Sequence, residues 1–314
     1  MGVRAAFTVV GDGFVEPSGA PSLIGSSRLT AFVSRLRSHG VRQLSIRSGI
    51  AIPAATASNA AYWSLRVGSA MCFVGHGAFG IITKREWLPF FAVVGIPADW
   101  AVSLMPVIGA VDIAAGIATL FAPRRAIVAY MTVWALWTAL LRPLSGGSVF
   151  ELVERAGNYG VPLAFLMMLG LPRNLRDWFR SAPQFDANNL DIGRIALVLR
   201  ATTACLLFAH GALGALVGKA TLASHYAAVG FPPSTIIAVG WTEMTLALAV
   251  AIGPTVPLLA FVTAWKLATE ALYPIAGAPI WEFIERGGSY AAPAALALLI
   301  VHLASRDNSR RSLA

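Results

Sequence analysis

The chain has 314 residues, of which 57% are apolar and only 12% charged, with mean hydropathy +0.68. A soluble domain carries about 25% charged residues, so a water-facing globule is excluded and a polytopic membrane protein is expected, with room for about eight spans of about 20 residues. The net charge of +9 rests on 21 Arg and 3 Lys, a bias that, with abundant Ala and Gly, suggests a GC-rich bacterial genome; the expected partner is the lipid bilayer, not nucleic acid.

The first 60 residues are rich in Gly, Pro, Ser and Arg. Val9-Val10 is followed at once by Gly11-Asp12, so no signal-peptide core forms. A flexible basic cytoplasmic tail is expected there. Within it, Arg28 to Leu44 has the pattern of a short basic helix for an anionic membrane surface. Apolar runs then predict spans near 62–83, 103–121, 126–142 and 159–172. After a cytoplasmic linker at 173–194 they resume near 195–217, 234–252, 255–273 and 288–304, and 305–314 forms a basic tail. Cys72 and Cys205 lie inside apolar runs without paired spacing, so neither a disulfide nor a thiol redox motif is expected.

The chain repeats itself. "SLRVGSAMCFVGHGAFG" (64–80) matches "VLRATTACLLFAHGALG" (198–214), "VGIP" (94–97) matches "VGFP" (229–232), and "GAVD" (109–112) matches "GWTE" (240–243). "FELVERAGNYG" (150–160) returns as "WEFIERGGSYA" (281–291). A duplicated four-span unit is therefore expected over 61–172 and 195–304. Four is even, so both units insert alike, as parallel repeats. The predicted fold class is all-α: about eight transmembrane helices in two parallel four-helix repeats. Arginines crowd the tails and the linker, which the positive-inside bias places in the cytoplasm of a bacterial inner membrane.

The "FELVER" stretch then follows the third span of each unit, on the outer face. Glu151 and Arg155 have i,i+4 spacing, which predicts a helical ion pair. The stretch reads either as an interfacial cap closing the bundle or as a functional lid. His76, Asp112 and Trp134 fall at one predicted depth, as do His210, Glu243 and Trp265. A carboxylate in hydrocarbon costs about 3 kcal/mol or more unless paired, so a histidine partner is expected. Each pair is either structural, fixing helix rotation, or a proton-handling, quinone-facing site. No second histidine lies near enough in sequence to predict a metal pair. Arg66 and Arg200 are expected to snorkel. Small residues beside the histidines, including Gly214 and Gly218, predict close helix contacts. Lys266 and Glu270, at i,i+4 where the first unit has Ala135 and Ala139, predict an intramembrane ion pair and divided roles, with the working pocket in the second unit.

"LRATTACLLFAHGALGALVGK", "AAVGFPPS" and Glu243 in "GWTEMTLALAVAIG" resemble the DoxX family of four-span bacterial membrane proteins. Arg200, Phe208, His210-Gly211, Lys219, Gly230, Pro232 and Glu243 carry the resemblance. The first unit keeps Arg66, Phe73, His76-Gly77, Gly95 and Pro97, with Asp112 replacing Glu. Most members are single units; this chain resembles a fused pair. The resemblance implies a quinone-linked redox protein or the membrane subunit of an oxidoreductase complex, because members are associated with thiosulfate:quinone oxidoreductase subunits. A non-catalytic scaffold or small-molecule carrier is the alternative. With no cysteine pair or metal motif in the sequence, electrons would pass through quinone or through soluble or membrane oxidoreductase subunits. The candidate catalytic residues are His210 and Glu243, with His76 and Asp112. Candidate cofactor contacts are Trp134, Trp265, Lys266 and Glu270, gated by Glu282, Glu285, Arg286 and Tyr290. No metal site is expected.

Overall fold

A computed structural model describes residues 52–182, 185, 187 and 190–312. The basic-helix expectation for 28–44 lies outside the described residues. Every predicted apolar run is helical. The half of the chain that holds the first sequence repeat, the first unit, contains α1 (Ala54–Ile81), α2 (Leu88–Val93), α3 (Ala98–Phe121), α4 (Arg125–Leu144), α5 (Val149–Glu154) and α6 (Ala156–Met168). α7 (Leu175–Phe179) lies in the linker. The second unit contains α8 (Ile192–Ala215), α9 (Ala220–Ala228), α10 (Thr235–Ile252), α11 (Val256–Ile275), α12 (Trp281–Glu285) and α13 (Gly287–Ser312). The tail boundaries shift. Helix begins at Ala54, inside the predicted N-terminal tail, and α13 runs on through most of the predicted C-terminal one.

Among the described residues, five helices are long and apolar enough to cross a membrane: α3, α4, α8, α10 and α13. There are six if α1 is joined to the segment Arg85–Val93, which turns from it by 100°. Eight spans were expected. α6 falls short because it has only 13 residues, and α11 because Lys266 and Glu270 interrupt its apolar run. Those five helices match lipid-bilayer association.

Local chemistry starts and stops the helices. Asp191 accepts from the Arg194 backbone N–H and Thr255 from that of Leu258, capping α8 and α11. Gly146 and Gly277 turn the chain after α4 and α11 with φ of +91° and +90°, a region that L side chains rarely enter. Leu65, Phe165, Leu199, Leu207, Leu259 and Leu299, contributed by α1, α6, α8, α11 and α13, are fully buried in one continuous core. α1 packs along α3, and α8 along α10. The last helix of each unit reaches across: α13 lies on α1 and α6 on α8.

Arginines tie off helix ends. Arg66 is buried and donates to the Thr119 carbonyl at 3.1 Å near the end of α3. Arg200 donates to the carbonyls of Val250, Ala251 and Ile252 at the end of α10. These unpaired terminal carbonyls lie within reach and attract a cation. Arg125 does the same for the end of α6, donating to Leu169 O at 2.7 Å and Gly170 O at 2.8 Å. Arg125→Met should therefore lower stability by about 1–3 kcal/mol, since buried carbonyls lose their donor. Thermal unfolding in detergent would measure this; an unchanged midpoint would mean that water replaces the guanidinium.

Candidate functional site

Two glycine crossings build the site. A Cβ on Gly77 would stand 2.5 Å from the Gly109 carbonyl oxygen, and one on Gly211 would stand 2.4 Å from that of Gly240. Only hydrogen fits at these contacts, so α1 meets α3 and α8 meets α10 backbone to backbone. His76 and His210 precede the first glycine of each crossing by one residue. Asp112 and Glu243 follow the second by three. The crossing thereby sets each imidazole against a carboxylate. Gly218 does not share this role: it turns the chain after α8 at φ +66° with nothing near it.

Asp112 is fully buried. It bonds His76 Nδ1 at 2.8 Å, and accepts from Tyr130 Oη at 3.3 Å and Trp134 Nε1 at 3.4 Å. Glu243 is also fully buried. It bonds His210 Nδ1, and accepts from Trp265 Nε1 at 3.1 Å and Lys266 Nζ at 3.3 Å. The predicted histidine, carboxylate and tryptophan are thus in contact in both units. With Nδ1 committed to the carboxylate, Nε2 is the ring nitrogen left over for other chemistry. Lys266 also pairs with Glu270 at 2.7 Å, and Arg286 joins Glu270 at 2.9 Å.

The repeated polar stretch explains itself in these contacts. Each copy caps the opposite unit: α5 packs on α8 and α12 on α1. Lys84 pairs with Glu282 at 2.7 Å, and Lys219 with Glu151 at 2.9 Å. Arg155 pairs with Glu285 at 2.6 Å. The predicted Glu151–Arg155 pair is therefore corrected. Glu151 is drawn instead to Lys219 of the other unit and to Arg142, 3.7 Å away, while Arg155 takes Glu285 of the other unit. Glu282 and Arg286, the matching residues of the second stretch, do pair at i,i+4. Burial alone would raise the Glu285 carboxyl, but Arg155, then His76, Arg286 and Lys84, hold it below the usual carboxylate range.

Beside His76 lies a cavity of about 230 Å³. Trp87, Phe90, Phe91, Trp134 and Trp137 line it, with Ala135 and Ala139 on one wall and Arg142, Arg155, Asn158 and Glu285 at its polar end. The Trp87 ring stacks on His76 at 4.6 Å. The space beside His210 is only about 10 Å³. The larger cavity thus sits in the first unit, where the sequence placed the working pocket in the second, because Lys266 and Glu270 fill the room that two alanines leave. Tyr290 reaches neither cavity; its hydroxyl donates to the Phe283 carbonyl at 2.8 Å, within the cap.

Sequence reasoning missed Tyr130 and Trp87. Tyr130 is one helical turn before Trp134, a spacing that signals a shared face. Trp87 had no such signal, because the bend after α1 brings it back over His76. Cys72 and Cys205 are free thiols. Among the described residues, no three His, Cys, Asp or Glu side chains gather as metal ligands. No family model, curated protein or solved structure matches the chain.

Proposed function

We propose that the chain is a DoxX-like, quinone-linked protein of the bacterial inner membrane, acting as a redox protein or as the membrane subunit of an oxidoreductase complex. In this reading eight helical runs form two parallel repeats, with both termini cytoplasmic and the caps facing outward. Matched His–carboxylate–Trp contacts and reciprocal caps support the repeats, and the crowding of arginines supports the orientation. The observation that carries the ligand reading is the aromatic-walled cavity beside His76.

The residues present fit a quinone headgroup. Stacked aromatic rings suit a planar ligand. His76 offers a ring nitrogen at one wall. Arg142 and Arg155 offer N–H donors to a carbonyl oxygen. A bound quinone would supply two-electron, two-proton redox chemistry. The chain's own part is to hold the ring and to move a proton at His76 Nε2, while Asp112 fixes the tautomer and stabilises the imidazolium. The second unit, with its space filled, supports the scaffold alternative for that half alone.

The test uses the three lining tryptophans. A short-chain benzoquinone titrated into protein in nanodiscs should quench tryptophan fluorescence saturably. Asp112→Asn preserves shape but removes the charge that orients His76. It should weaken binding by about five- to hundredfold, the cost of a lost charged hydrogen bond. Quenching that never saturates, or saturates equally in a folded Asp112→Asn protein, would defeat the reading.

A further inference from the structure

We propose that, of the two matched spaces beside the histidines, one is a ligand cavity and the other carries a built-in plug: the chain holds a one-ring ligand beside His76, while the Lys266–Glu270 pair occupies the matching space beside His210. The identity of that ligand as a quinone rests on the function proposed above; the plug itself rests on packing. The walls of the two spaces correspond by sequence. His76 matches His210, Arg155 matches Arg286, Asn158 matches Ser289 and Glu285 matches Glu154; each lines the space of its own histidine, and Arg155 and Asn158 reach the second space as well. The decisive difference is Ala135 and Ala139 against Lys266 and Glu270, the latter two only 1% and 2% exposed. The space beside His76 measures about 230 Å³, and the one that Lys266 and Glu270 line beside His210 about 10 Å³.

The exchange is chemically complete. In the second unit the ammonium of Lys266 reaches the carboxylate that the histidine holds, and Glu270 balances it. In the first unit the corresponding third contact to Asp112 comes from the neutral Tyr130 hydroxyl. Arg142, at the mouth of the first cavity, corresponds to Tyr273, whose ring packs 4.3 Å from His225 and under the Arg286 guanidinium at 4.0 Å. The plug therefore brings its own counter-ions and needs no ligand.

The same comparison defines what the open cavity takes. An apolar cavity of about 150 Å³ accommodates benzene, so the larger volume here suits one substituted ring. The carboxylate in its wall, Glu285, is already neutralised by Arg155 at 2.6 Å. Arg142, in the same wall, has Glu151 as its counter-ion at 3.7 Å, so both charges are balanced and the ligand is a neutral ring whose oxygen substituents accept from the guanidiniums, of the phenol, quinol or quinone class.

An azido-substituted benzoquinone, photolysed with the protein in nanodiscs and mapped by peptide mass spectrometry, reads both halves. Wild type should label only peptides around 87–91 and 134–142. Ala135→Lys with Ala139→Glu, copying the plug into the first unit, should lose at least nine-tenths of that label. Lys266→Ala with Glu270→Ala should gain label of comparable yield around 222–231 and 265–273. Wild-type label in the second unit, or a folded opened variant labelled like wild type, overturns the plug. Absence of label from wild type overturns the quinone reading alone, and the packing is then read from melting. Ala139→Leu fills empty space and should raise Tm by a few degrees, whereas a fall in Tm overturns the cavity as well.

Discussion

Lys266→Met should cost about 3–5 kcal/mol of stability, the usual penalty for removing one partner of a buried ion pair. Lys266 is 1% exposed and touches two carboxylates, Glu243 at 3.3 Å and Glu270 at 2.7 Å. Methionine nearly preserves the volume, so the loss isolates charge from packing. Glu243 would keep His210 and Trp265, and Glu270 would keep Arg286. Each would still be a buried anion short of a cation. Adding Glu270→Leu removes one of those anions. The double variant should recover much of the loss, because replacing a whole buried pair with apolar groups is often nearly neutral. Thermal unfolding of wild type, both single variants and the double gives the coupling, expected at about 0.5–3 kcal/mol for residues in contact. A double variant no more stable than Lys266→Met would show that the network, and not the pair, is the energetic unit.

The sequence was most legible where periodicity and repetition reinforced each other. Composition placed the chain in a bilayer, and all eight apolar runs are helical. The His76–Asp112 and His210–Glu243 contacts were readable because both copies repeat the pattern at one depth, and because an unpaired buried carboxylate is too costly. The Lys266–Glu270 pair was readable from i,i+4 spacing alone. What failed depended on partners distant in sequence. Spacing assigned Glu151 to Arg155, but nothing local reveals that Lys219 of the other unit waits for Glu151, or that Glu285 waits for Arg155. The carbonyl partners of Arg66 and Arg200 were hidden too, because a sequence does not show a neighbouring helix ending beside them. The larger cavity was hidden for a related reason. Lys266 and Glu270 looked like the richer chemistry and so like the working site, whereas their bulk is what fills it; the two alanines opposite carried the signal as missing volume.

Glu285→Gln should separate a rigid clamp from a movable lid. Glu285 is 1% exposed, stands 2.6 Å from Arg155 and forms part of the cavity wall. Gln keeps the shape but leaves Arg155 buried without its nearest anion, so a clamp predicts a loss of about 3–5 kcal/mol at neutral pH. The comparison is Glu151→Gln. Glu151 is partly exposed and shares itself between Lys219 at 2.9 Å and Arg142 at 3.7 Å, so its loss should stay near 1 kcal/mol or below. Acid adds an independent reading. The native Glu285 carboxyl is held below its ordinary range. Its contribution is therefore present above the unfolded value of about 4.3 and is lost as pH falls from there through the native value. Wild type should lose stability more steeply across that window than Glu285→Gln, and the two curves should converge once the carboxyl is protonated. Equal, small losses in both variants, with parallel pH curves, would mean that the caps rest on the bundle loosely enough to open. In that case α12, which covers the His76 cavity through Glu285, would be the gate through which a ligand enters.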